Sequence, residues 1–243
     1  MDQVQSFFTE LLGQRQLVLT DTQWNQFEIY FRELVSWNEK MNLTGITERE
    51  QVYLKHFYDS LSLSFYVPLT DVRTLADIGS GAGFPSIPLK IMFPHLQVTI
   101  IDSLNKRIQF LNHLVDSLGL DQVRCVHGRA EDEAQKPELR ERFDLVTARA
   151  VARMNVLNEF CLPFVKRGGM FAAMKGSDPG DELLEAKYSL KELRGEVEAN
   201  YRFELPVEQS LRHIIVIRKL AATPRKYPRK AGTPLKQPLV GKV

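Results

Sequence analysis

Leu75-Ala76-Asp77-Ile78-Gly79-Ser80-Gly81-Ala82-Gly83-Phe84-Pro85-Ser86-Ile87-Pro88 is the stretch on which the reading of the chain turns. Leu75, Ala76 and Ile78 read as a short buried strand. Gly79, Gly81 and Gly83 then mark a tight turn, and Ile87, Leu89, Ile91 and Met92 begin a helix. A strand, a glycine turn and a helix in that order make a nucleotide-type ligand site. Glycines remove the Cβ atoms that would hold a ligand off the backbone, and the first helical N–H groups point outward unpaired.

The spacing narrows the ligand. A dinucleotide fingerprint needs G-x-G-x-x-G, whereas here the third glycine comes one residue early and Phe84 stands in its slot. Asp77 lies inside the strand, where a carboxylate suits an ammonium-bearing ligand better than a pyrophosphate. Asp102 ends the next apolar run, Val98-Thr99-Ile100-Ile101, placed to accept hydrogen bonds from ribose hydroxyls. G-x-G-x-G flanked by two acids resembles the S-adenosylmethionine site of Rossmann-like methyltransferases. The plainer alternative is a turn that only joins strand to helix.

Working outward, 243 residues suffice for one large domain, or for one domain with an extension. A net charge of +2 says nothing about nucleic acid, so local clustering has to carry that argument. Cys125 and Cys161 sit in apolar runs without metal-ligand spacing, which predicts two buried, reduced thiols and no metal. There is no basic segment followed by an apolar one at the N-terminus and no run of membrane-spanning length. The expectation is a cytoplasmic protein.

Residues 2–12 read as a short helix, and Thr20 or Asp21 caps a longer one carrying Trp24, Phe27, Phe31, Leu34, Trp37 and Met41. A third starts near Glu48, presents Val52, Leu54, Phe57, Leu61 and Phe65, and stops at Pro68. Nearby, Asn42 reads as a loop residue, and His56 with Asp59, three apart on one helix face, as an exposed ion pair. From Thr74 short apolar runs alternate with amphipathic helices, the mark of βαβ units. Strands fall at 98–101, 123–126, 143–148 and 170–174. Asn105–Leu118 is a helix stopped by Gly119, and Asp181–Leu193 a charged helix. Val197–Leu205 and Arg212–Arg218 close the sheet as an antiparallel pair.

The fold class this predicts is α/β: a Rossmann-like, seven-stranded, mostly parallel sheet with an antiparallel C-terminal hairpin. It divides into an N-terminal helical extension (1–70), a methyltransferase-like domain (71–220) and a basic tail (221–243). The tail carries Arg225, Lys226, Arg229, Lys230, Lys236 and Lys242, no acid, and prolines that oppose helix. It reads as an extended arm on RNA; its packing through Tyr227 and Leu235 is the competing possibility.

Taken together, the chain resembles the ribosomal RNA small subunit methyltransferase G family, also called the glucose-inhibited division protein B family, over essentially its whole length. The matching stretches are Asn42-Leu43-Thr44, His56 with Asp59-Ser60, the glycine loop through Phe84, Asp102-Ser103 with Lys106-Arg107, Ala130-Glu131, Arg149-Ala150, Lys175-Gly176 and Arg212-His213-Ile214-Ile215-Val216-Ile217. Ser86 stands where many members carry glycine, and the tail occurs only in some branches. The resemblance implies methyl transfer from S-adenosylmethionine to N7 of one guanine in 16S ribosomal RNA, by a monomer acting on RNA or a small-subunit particle and not on a membrane. It implies cofactor contacts from Gly79, Phe84, Ala130, Glu131 and Arg149 with Asp102 on the ribose, beside Gly81, Gly83 and Asp77 of the loop. Asn42 and His56 enter the catalytic set by the same resemblance.

The residues suit that chemistry. Guanine N7 has an in-plane lone pair and no proton, so alignment and water exclusion replace a general base; positioning of this kind supplies up to roughly 7–11 kcal/mol. There is no Asn/Asp-Pro-Pro-Tyr/Phe run for amino-group methylation and no Pro-Cys nucleophile. Arg149 and Lys175, at strand ends, are the cations best placed to meet guanine O6. N7 of paired A-form RNA lies in a groove too narrow for side chains, so the target should be splayed out. Lys106, Arg107, Arg124, Arg129, Arg225, Lys226, Arg229 and Lys230 are candidate phosphate contacts. Two other classes compete: a nicotinamide oxidoreductase, whose glycine spacing is absent, and a non-catalytic RNA-binding protein on the same fold.

Overall fold

The computed structural model describes residues 2–241 and opens with helices. α1 (Gln3–Gly13) starts at Asp2 and α2 (Asp21–Met41) at Thr20, each through a reciprocal capping box with the Gln three residues on. α3 (Arg49–Val52) then runs without a break through a π turn (Tyr53–Tyr58) into α4 (Asp59–Leu61) and a 3₁₀ turn (Ser62–Phe65). The π turn adds a residue to the helical repeat and re-aims the side chains at its end, as such turns do at functional sites. His56 lies in it and Asp59 follows it.

The sheet comes next. β1 (Thr74–Ile78), α5 (Ser86–Met92), β2 (Gln97–Asp102), α6 (Asn105–Leu118), β3 (Val123–His127), α7 (Ala130–Glu133), β4 (Phe143–Arg149), α8 (Met154–Cys161) and β5 (Val165–Lys175) alternate as the sequence predicts. α9 (Gly180–Glu185) and α10 (Lys187–Leu193) replace the single charged helix expected at 181–193; the chain steps between them at Ala186, which is fully buried. β6 (Gly195–Glu204) and β7 (Leu211–Lys219) finish the sheet in the order β3-β2-β1-β4-β5-β7-β6. β1 to β5 run parallel and β7 is antiparallel to both β5 and β6. The order reverses between β1 and β4, and in an open parallel sheet ligands sit at such a point, outside the carboxyl ends of the strands.

Both faces are covered, as a parallel sheet requires. Along β1 the burial alternates: Leu75 joins a core shared with α5, α6 and the N-terminal helices, while Ala76 and Ile78 join one shared with α8 and α10. The N-terminal aromatic stripe is thus the other half of a sheet-face core, with Phe8, Phe27, Tyr30, Tyr53 and Phe57 all buried. Cys161 is buried and Cys125 half-buried; both are free thiols.

The tail departs from expectation. Its prolines do not exclude helix, because Pro234 occupies the first turn of α11 (Thr233–Lys236), where no backbone N–H is needed. Tyr227 and Leu239 are buried in the α8–α10 core. Arg229 donates to both oxygens of the fully buried Glu159, and Arg140 donates to the carbonyls of Thr223 and Tyr227. The extended-arm reading is overturned for these residues by packing. Lys242, counted among the tail cations, lies outside the described residues.

Candidate functional site

The glycine loop holds buried polar atoms without partners among the described residues. Asp77 at the end of β1 is fully buried; its Oδ2 accepts the Ser86 N–H at 3.2 Å. Its Oδ1 and the Ser80 hydroxyl are buried without a hydrogen-bond partner among the described residues. Burial, against the pull of Ser86, raises the Asp77 carboxyl from its ordinary value to about 7. Gly81 holds φ +64° and has no atom within 4 Å of where a Cβ would stand, so its face of the loop is open. Gly83, at φ +99°, is the reverse case: a Cβ there would lie 2.8 Å from the Tyr30 hydroxyl and from the Ile87 side chain. Asp102 ties the loop to β2, accepting from Gly81 N–H at 3.1 Å, Leu104 N–H at 2.9 Å and Arg107 at 3.4 Å.

Phe84 is the hinge between this loop and a second cavity. Tyr30 stacks on it at 5.3 Å and His56 at 4.6 Å, and the Arg149 guanidinium lies 4.9 Å from its ring centre. The Tyr30 hydroxyl donates to the Ala82 carbonyl at 2.6 Å. Burial, with Arg149 adding to it, depresses His56 to about 4, so its imidazole is neutral at pH 7. Thr44 meets its Nε2 at 2.8 Å and the Lys55 carbonyl its Nδ1 at 3.2 Å.

The second cavity, about 350 Å³, opens beyond His56 and Arg149 between β4, β5 and β7. Its charges are paired. Asp59, 5 % exposed, receives Arg149 at 3.1 Å and Arg212 at 3.2 Å, while Arg149 Nη1 also reaches the Lys55 carbonyl. Lys175 donates to Glu182 at 2.7 Å and to the Ala152 carbonyl. Among the described residues Arg149 makes these bonds through Nη1 alone, which leaves its Nε and Nη2 donors for a ligand. A smaller cavity of about 180 Å³ lies across the Arg149–Val151 segment, between Gly79, Ser103, Gly128, Ala130, Glu131 and Val151.

The sequence-predicted residues therefore separate into groups. Gly79, Gly81, Gly83, Phe84, Asp77 and Asp102 converge on the loop; Arg149, Lys175 and His56 line the larger cavity, and Ala130 with Glu131 the smaller one. Several expectations need correcting. His56 and Asp59 are not an exposed ion pair: both face inward, and Asp59 pairs with the two arginines. Asn42 is exposed, a left-handed cap at the end of α2, and Thr44, two residues on, is the one whose side chain meets His56 Nε2. Glu131 accepts the Gly232 N–H on Oε1 at 2.8 Å, so the tail joins the fold at the smaller cavity. Arg229 is committed to Glu159, and Lys226 to Glu192 at the surface. Lys106, Arg124, Arg129, Arg225 and Lys230 are exposed, whereas Arg107 is partly covered beside Asp102.

Tyr30, Arg212 and Glu182 were not legible as site residues. Tyr30 lies three residues past Phe27 and four before Leu34, a spacing that marks core and carries no sign of the hydroxyl's partner. Glu182 is one acid among many in a charged helix.

The family model for rRNA small subunit methyltransferase G matches residues 23–214. A "Ribosomal RNA small subunit methyltransferase G" of Brevibacillus brevis is 58% identical over 96% of this chain and 98% of its own length. One from an Exiguobacterium species is 58% identical over 97% and 99%. Among solved structures, an O-methyltransferase from Bacillus cereus in complex with SAH superposes with a TM-score of 0.55 at 17% identity. That match covers 78% of this chain and 90% of the other, a likeness of fold.

Proposed function

The chain belongs to the rRNA small subunit methyltransferase G family, and on that premise we propose that it transfers a methyl group from S-adenosylmethionine to N7 of a guanine in 16S ribosomal RNA. The observation that carries the cofactor half is the buried, unpartnered Asp77 Oδ1, four residues before the unobstructed Gly81. A buried carboxylate oxygen without a donor fits an ammonium group, and the missing Cβ leaves room for an aliphatic chain. Asp102, whose oxygens retain lone pairs beyond those already used, suits ribose hydroxyls. The residues thus fit the group, which supplies an electrophilic methyl on a sulfonium.

The rest is positioning. The cavity beside Phe84 would take the base. Arg149 presents Nε and Nη2, and Arg212 leaves Nη2 unbonded, so either can donate to guanine O6 while N7 stays free. Asp59 holds both forks in register, and Glu182 does the same for Lys175. No group need remove a proton, and neutral, hydrogen-bonded His56 suits a wall of the site better than a general base. Exposed Lys106, Arg124, Arg129, Arg225 and Lys230 are the candidates for phosphate contact.

The test is to incubate the protein with methyl-labelled S-adenosylmethionine and either 16S RNA or small-subunit particles, then map the label by nuclease digestion and mass spectrometry. The expected product is a single 7-methylguanosine. Label on an exocyclic nitrogen would overturn the N7 assignment, and RNA binding without cofactor binding would favour a non-catalytic protein.

A further inference from the structure

The segment after β7 is joined to the fold by a series of specific bonds. Lys219 buries its ammonium against the Leu162 carbonyl and the Thr223 hydroxyl, and Thr223 N–H donates to Glu141 at 2.6 Å. Arg140 holds the Thr223 and Tyr227 carbonyls at 2.9 Å each, and Gln135 holds the Pro228 carbonyl at 2.8 Å. Arg229 closes on Glu159 through its N–H, Nε and Nη2. These anchors deliver Gly232, at φ +83°, to Glu131, and the single turn of α11 begins there.

That turn ends at the small cavity. Leu235, 55 % exposed, is one of its walls, facing Gly79, Gly128, Ala130 and Val151. An aliphatic side chain left half in water, on a segment held by buried ion pairs, gains little where it stands. It gains contact if a flat apolar surface enters the cavity beside it. The cavity opens at the carboxyl ends of β1, β2 and β3, and Ile101 and Ser103, the two neighbours of Asp102, line it. With a ribose on Asp102 and an ammonium on Asp77, the heterocycle falls there. The family match ends at residue 214, so the strap lies wholly beyond it.

We propose that residues 223–239 form a docked strap whose Leu235 is a binding residue for the adenine of the cofactor, so that strap docking and cofactor binding stabilise each other. This rests on the reading of the loop as an S-adenosylmethionine site. Coupling of this kind is reciprocal: if the strap raises cofactor affinity, the cofactor must hold the strap down by the same factor.

The probe is S-adenosylhomocysteine, with affinity measured by calorimetry and strap docking by trypsin cleavage at exposed Arg225 and Lys230. Leu235→Ser, at a half-exposed position, should leave the melting temperature of the free protein unchanged and weaken binding about tenfold, equivalent to about 1.4 kcal/mol. Ligand should slow cleavage of the wild-type strap and protect that of Leu235→Ser less at equal saturation. Asp102→Ala serves as the reference for the site itself. If Asp102→Ala loses affinity while Leu235→Ser binds like wild type and the ligand leaves cleavage unchanged, the strap proposal is overturned and the site reading stands. If the wild-type protein does not bind S-adenosylhomocysteine, both are overturned.

Discussion

The two sides of Phe84 solve opposite problems. On the loop side polar atoms lack partners among the described residues: Asp77 Oδ1 and the Ser80 hydroxyl are buried and unbonded, and nothing lies within 4 Å of where a Gly81 Cβ would stand. On the cavity side the charges are already paired, Arg149 and Arg212 sharing Asp59 and Lys175 resting on Glu182. An unpartnered buried carboxylate is costly until something fills its place, so the loop side is arranged to gain free energy from a ligand. Paired arginines gain less, but their forks are fixed in direction before anything arrives. The difference is that between a site built for affinity and one built for orientation. Methyl transfer in a line needs both.

The sharpest way to break that contrast is to fill the open space. Gly81→Asn tolerates the left-handed backbone better than a β-branched residue would, yet places a side chain where the ligand is proposed to lie. Cofactor binding should be lost altogether by calorimetry while the fold still melts cooperatively; undiminished binding would remove Gly81 from the site. On the other side, Asp59→Asn keeps the shape and removes the charge that orients both arginines. We expect methyl transfer to fall about 10- to 100-fold, the scale of a sub-ångström to ångström misplacement, with cofactor affinity within about twofold of wild type. Equal losses in binding and rate would mean that the two sides are not separable.

The smallest effect concerns pH. In the free protein the Asp77 carboxyl holds its proton up to about pH 7, well above its ordinary 3.8. Binding a cation there requires the charged form, so affinity should rise by about tenfold from pH 6 to pH 8 and flatten in Asp77→Asn. The same shift has the opposite sign for stability: the folded state binds the extra proton, so Asp77 stabilises the empty protein at low pH and loses that effect as pH climbs from about 4 to about 7. His56 works the other way, from 6.5 in the unfolded chain to about 4 in the fold, and its contribution is lost as pH falls through that interval. A wild-type affinity that did not change from pH 6 to 8 would place the ammonium elsewhere.

Legibility divides along similar lines. The loop, the acids at 77 and 102 and the whole strand order could be read because they depend on local periodicity and on backbone rules that glycine reports directly. Partner choice could not. The sequence contains Asp59, Arg149 and Arg212 but not the fact that they meet across 90 and 153 residues. The packing of the tail is hidden from the sequence for a related reason. Composition gives six cations, four prolines and no acid, whereas Glu159 and Glu192, the acids that hold it, belong to helices 30 to 70 residues earlier. A charge run looks solvated until its counter-ions are placed.

The Tyr30 hydroxyl on Ala82 has a bearing on how such a protein can be subdivided. The glycine loop belongs by sequence to the strand-and-helix portion, yet its carbonyl is held, and its Phe84 ring is stacked, by α2. Trimming the chain to begin just before β1 would strip both supports and expose Phe84, Ile87 and Leu111 to water. Neither portion is a transplantable module, and a chimera that swaps the N-terminal helices between relatives must carry Tyr30, Phe57 and Phe84 across as one set.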